Sequence, residues 1–120
     1  MYAEVRGYMT TDADPLDSVY PDDPENFRID VEAAIGTKGS KGSDNFVFYV
    51  ATAKYLESKF GDDAVFLRHY LLVKEWNPDV VKNRIEKLVS TTSGVDWGEI
   101  ASKLSRYGYW EFEDIQPLKS

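Results

Sequence analysis

The chain has 120 residues, 42% of them apolar and 29% charged, which suits one folded core and is too short for two and too apolar for a wholly disordered chain. Its 21 acidic side chains against 14 basic ones leave a net charge of −7, which opposes binding to a phosphate backbone and argues against nucleic acid as a direct ligand. No cysteine is present, so disulfides, thiol nucleophiles and thiolate metal ligands are excluded together, in keeping with a reducing compartment.

Met1 to Gly7 lack the basic start and apolar run of a signal peptide, and no later stretch has the length of a membrane span. The cytosol is therefore the expected location, without membrane contact. Tyr2 to Met9 read as a first strand, with Tyr2, Glu4, Arg6 and Tyr8 on one face and Ala3, Val5, Gly7 and Met9 on the other. The clearest strand follows, where Phe27, Ile29, Val31, Ala33 and Ile35 alternate with Arg28, Asp30, Glu32 and Ala34. One face buried and one wet implies antiparallel pairing.

Gly36 to Ser43 hold three glycines and two lysines, a turn-forming loop, and Asp44 to Ala51 resume as a strand carrying Phe46, Phe48 and Val50. The two strands are expected to form a hairpin. The loop lacks the spacing of a phosphate-binding loop and leads into a strand instead of a helix N-terminus. Thr52 can cap a short helix through Phe60, stopped by Gly61 and packing through Tyr55, Leu56 and Phe60. From about Val65 to Trp76, the β-branched and aromatic run around Leu71 to Val73 reads as a central strand.

Asn77-Pro78 places a capping side chain before a proline at the first helical position, and Val81, Ile85, Leu88 and Val89 then recur at helical spacing. Asp96 to Glu99 form a capping box for another helix, with Gly108 as its stop. Tyr109 to Ile115 alternate as a last strand before Pro117. Early strands and late helices predict an α+β fold, a mostly antiparallel sheet of four to five strands with about three helices packed on one face.

The search for chemistry finds little. His69 is the only histidine and no nucleophile-elbow spacing is present. From Gly7 to Phe27 there is no Lys or Arg, but Asp12, Asp14, Asp17, Asp22, Asp23 and Glu25 surround Val19 and Tyr20. A solvated loop whose acids turn the backbone is the plain explanation. An acidic contact surface with Tyr20 as its aromatic anchor is the functional one. Calcium is not expected, because the oxygen ligands, central glycine and terminal glutamate of a calcium loop are missing. A second candidate contact set is Tyr109, Trp110, Glu111, Glu113 and Asp114, where strand alternation would put Glu111 and Glu113 on one face and Trp110, Phe112 and Asp114 on the other. No catalytic residue, metal or cofactor is assigned to either set.

Several of these segments, in order, resemble the immunity protein 8 family of bacterial polymorphic toxin systems: Tyr20 to Phe27, Ala33 to Gly36, Arg68 to Val73, Asp96 to Ala101 and Trp110 to Asp114. The resemblance spans nearly the whole chain and rests on combination and order, since no single segment is a chemical motif. It implies one immunity-protein-like domain over residues 1–120, without catalytic residues or cofactor. It further implies a cytosolic antidote that binds and blocks a cognate toxin domain, one that the charge balance suggests is basic. Two other classes stay open: a small enzyme whose site assembles near His69 and neighbouring carboxylates, and an acidic ligand-binding or adaptor domain. A deep pocket holding His69 with a perturbed carboxylate would favour the enzyme, and a broad acidic, aromatic surface the binder.

Overall fold

The computed structural model describes residues 1–12 and 14–115. Five strands and three helices follow one another as β1 (Ala3–Thr10), β2 (Arg28–Thr37), β3 (Asp44–Thr52), α1 (Ala53–Phe60), β4 (Tyr70–Val73), α2 (Pro78–Ser90), α3 (Trp97–Leu104) and β5 (Tyr109–Trp110), an α+β fold. The sheet order is β1-β2-β3-β4, with β5 also on β3. Strands β1, β2 and β3 form an antiparallel meander, in register from Ala3 opposite Thr37 and from Ile35 opposite Asp44. The other side of β3 is shared: β4 runs parallel beside Tyr49 to Thr52 and β5 antiparallel beside Phe46 and Val47.

The strand alternation decides which side is covered. Val31, Ala33 and Ile35 of β2 and Phe46, Phe48 and Val50 of β3 are buried on one face. The helical stripes Val81, Ile85, Val89 of α2 and Ile100, Ala101, Leu104 of α3 join them in one apolar cluster. Helix α1 leaves β3 directly and contributes no fully buried residue. Each helix begins where a side chain accepts the free amides of the first turn: Thr52 from Tyr55, Asn77 from Asp79 and Val80, and Asp96 from Glu99. The β2–β3 hairpin is present as expected. Its loop is tethered, because one Arg6 nitrogen donates to the carbonyls of Thr37 (2.7 Å) and Ser40 (2.6 Å).

Asp44 ties the C-terminal elements to the sheet. One of its carboxylate oxygens accepts both the Trp97 indole N–H at 2.8 Å and the Trp110 indole N–H at 3.0 Å. Phe46 lies between the same two rings, edge-on to Trp97 and stacked on Trp110 with centroids 6.3 Å apart. Close by, a Cβ added to Gly108 would stand 2.8 Å from the Phe48 ring, so only glycine lets the chain cross there.

Four expectations are corrected. A bulge between Val5 and Gly7 shifts the β1 register, so Ala3, Val5, Tyr8 and Thr10 face the helices while Met9 is exposed. The Tyr8 hydroxyl donates to Lys82 O on α2. The strand expected over Val65 to Trp76 is only Tyr70–Val73 and lies at the sheet edge. His69, with φ of 69°, stands in the left-handed region that an extended strand cannot use. Helix α3 ends at Leu104 rather than Gly108, because Ser105 caps it and a turn leads to Gly108, whose N–H reaches Leu104 O. The last strand stops at Trp110, and a 3-10 turn at Glu113–Ile115 replaces the predicted alternation, so Glu111 and Glu113 share no strand face.

Asp44→Ala would leave two half-buried indole N–H groups without acceptors and is expected to lower stability by about 2 kcal/mol, read from the urea midpoint at unchanged slope. Gly108→Ala, which overpacks Phe48, is expected to cost about 1–3 kcal/mol in the same measurement.

Candidate functional site

The acidic run between β1 and β2 is anchored on the helix-covered side. Leu16 is buried in the core, and the Trp76 indole N–H donates to Val19 O at 2.8 Å while the Trp76 backbone N–H donates to Pro24 O at 2.8 Å. Asp17 accepts from Lys82 of α2 at 3.0 Å. Asp12, Asp14, Asp22, Asp23 and Glu25 are exposed, with Asp23 capping the Glu25 amide and Glu25 3.8 Å from Lys54. Tyr20 is 78% exposed. Trp76, a residue that sequence reasoning did not single out, thus orders the loop and leaves its acids in water.

The second set is divided by the sheet. Trp110 pairs with Phe46 on the core side, whereas Tyr109 pairs with Val47, whose neighbours on β2 and β1 in the same rung are Glu32 and Met9. Met9, Glu32, Val47 and Tyr109 therefore cross four strands on the face that α2 and α3 leave uncovered. The adjoining rung holds Asp30, Tyr49 and Tyr70. Glu111 accepts the Asn45 amide at 2.8 Å, and the Tyr109 hydroxyl donates to Asp114.

Arg28 organises that second rung. It forms a two-pronged pair with Asp30 at 2.8 and 3.2 Å, donates to the Tyr70 hydroxyl at 3.1 Å and sets its guanidinium 4.5 Å above the Tyr49 ring. The bond to Asp30 holds Arg28 above its ordinary pKa. Burial first, and then the Asp30 charge, push the Tyr49 phenol up; the bond to Asp114 pushes Tyr109 up. Both phenols stay protonated near neutrality and can donate hydrogen bonds.

His69 is buried, with its ring edge-on to Tyr109 at 5.6 Å. Its Nε2 lies 2.8 Å from Ser105 O, 3.3 Å from a Glu113 oxygen and 3.0 Å from Arg68 Nε. One nitrogen cannot donate to Ser105 and accept from Arg68 at once; the 2.8 Å contact to Ser105 O is the shorter and favours a proton on Nε2, while the buried Glu113 oxygen gains no hydrogen bond. Neither the 480 Å³ cavity beside Thr52, Lys54 and Leu72 nor the 410 Å³ cavity beside Leu71, Asn77 and Arg84 is lined by His69 or Glu113. These contacts tie Arg68 and His69 to Ser105 and the C-terminal turn. Among the described residues, no group of three or more His, Asp and Glu side chains converges to hold a metal, and no helix is long and apolar enough to cross a membrane.

Arg28, Tyr49 and Tyr70 escaped the sequence reading as a group. Their signal was the outward phase of strands whose inward phase is plainly core: Arg28 and Asp30 alternate with Ile29 and Val31, and Tyr49 falls between Phe48 and Val50. Comparison with known proteins finds that the family described as Immunity protein 8 matches residues 3–115. No curated protein and no solved structure matches.

Arg28→Ala is expected to lower stability by about 1 kcal/mol or less, because the ion pair is partly exposed and only the ring contact is sheltered. Urea unfolding monitored by tyrosine and tryptophan fluorescence measures it.

Proposed function

Because the chain belongs to the immunity protein 8 family, we propose that it binds the cognate toxin domain of a bacterial polymorphic toxin system and neutralises it by protein–protein contact. Residues 1–120 act as one domain in the cytosol of the producing cell. The family match across residues 3–115 carries this reading. The physical character of the molecule supports it: the sheet face that α2 and α3 leave uncovered bears tyrosines and ion-paired arginines, the composition of a protein contact surface. No covalent step is required of it.

The net charge of −7 favours a basic partner. Carboxylates of the run from Asp12 to Glu25 are exposed and extend the field that draws such a partner in, which raises the encounter rate more than the lifetime. The direct test is co-expression of this chain with the toxin domain encoded beside its gene. Survival that requires this chain, together with a co-purified complex, is the expected result. Continued toxicity with no complex would overturn the proposal.

Asp12, Asp14 and Asp22 changed together to Asn are expected to slow association with that toxin domain by about three- to tenfold at low salt and to flatten its salt dependence. The dissociation rate should stay near the wild-type value. Asp17 is spared because its pair with Lys82 holds the loop. Stopped-flow binding at several ionic strengths measures both rates.

A further inference from the structure

The proposal above leaves open which surface meets the toxin: the acidic run is anchored on the helix-covered side, whereas Tyr109 stands on the other side of the sheet. Resting on that reading, we infer that the uncovered sheet face is the docking surface, with the Val65–Phe66–Leu67 segment leading into its β4 edge. It fits a partner patch of basic side chains around an apolar cleft that receives Phe66.

Three successive apolar side chains in water need an explanation, and Phe66 is fully exposed, with Val65 and Leu67 close to half exposed. The segment is short and held at both ends. Gly61 closes α1 through Glu57 O, and the Asp63 amide reaches Phe60 O. At the other end His69 is buried, and its carbonyl accepts the Tyr49 amide at 2.9 Å. Anchors at both ends reduce the ordering cost of inserting Phe66 into a partner.

The charges on the face select the partner. Arg6 is paired with Glu4, Arg28 with Asp30 and Arg68 with Glu113, so these three arginines are answered within the chain. Glu32, in the rung with Met9, Val47 and Tyr109, has no ion-pair partner among the described residues, and Glu111 and Asp114 only accept hydrogen bonds. Along the strand rungs of this face the unanswered charge is negative. A second copy of this chain would bring the same negative excess against it, whereas lysines and arginines would complete it.

The test uses the full chain and an inactive variant of the toxin domain encoded beside its gene, with titration calorimetry for affinity and sedimentation for the free chain. Phe66→Ser is expected to weaken binding by about tenfold or more, and Glu32→Lys by about fivefold with a larger effect at low salt. Tyr20→Ala, on the other side, should bind as wild type, and the free chain should be a monomer. Phe66 and Tyr20 are exposed and Glu32 is half-buried, and circular dichroism verifies the folding of each variant. If wild type binds while Phe66→Ser and Glu32→Lys bind equally well, or if Tyr20→Ala carries the loss, this surface is wrong and the immunity reading stands. A free dimer dissolved by Phe66→Ser would likewise overturn it in favour of self-association. If wild type does not bind at all, both readings fall.

Discussion

Asp44 accepts the indole N–H groups of Trp97 and Trp110 on one carboxylate oxygen, and those tryptophans open α3 and close β5. Ile100, Ala101 and Leu104 hold α3 in the core, and the shared acceptor adds a directional tie at its start. Strand β5 pairs through two residues only, and α3 is eight residues long. A charged acceptor shared by two half-buried donors makes a stronger and more directional link than apolar contact alone. Phe46, set between the same two rings, turns the link into a packed corner. From that corner the chain must pass Phe48 closely, which is why a glycine stands at 108.

Fixing α3 at that corner also determines what remains bare. Helices α2 and α3 lie over the inward phase of β2 and β3, and the outward phase receives no helical layer from them. Antiparallel sheets commonly tolerate water on one side, and this one furnishes that side with tyrosine, arginine and carboxylate. Strand β3 serves both faces at once: Phe46, Phe48 and Val50 build the core, and Val47 and Tyr49 stand between them on the open side.

Much of this architecture was legible in the residues. The β2–β3 hairpin, the caps at Thr52, Asn77 and Asp96, and the stripes of α2 and α3 follow from period and capping chemistry, which are local. Three of the failures share a cause that is not local. A bulge in β1, a left-handed residue at His69 and a turn after Trp110 are each stabilised by contacts far along the chain: Tyr8 with Lys82, His69 with Ser105, Glu111 with Asn45. Apolar content alone extended β4 through Val65 to Leu67, although those side chains face water. Of the candidate site, the acidic loop could be located because charge is visible in sequence. The Arg28–Tyr49–Tyr70 cluster could not, because strand order assembles it.

The bulge at Val5 to Gly7 has a further effect at the outer edge of the sheet. Strand β1 ends the strand order, and eight residues of regular edge would offer a template on which an unrelated chain could lay its own strand. The extra residue breaks the even spacing of amides and carbonyls midway along that edge, and the charged pair Glu4–Arg6 sits beside the break. The border of the sheet is thereby kept unsuited to fibre growth, even though α2 and α3 leave its outward face without a helical layer.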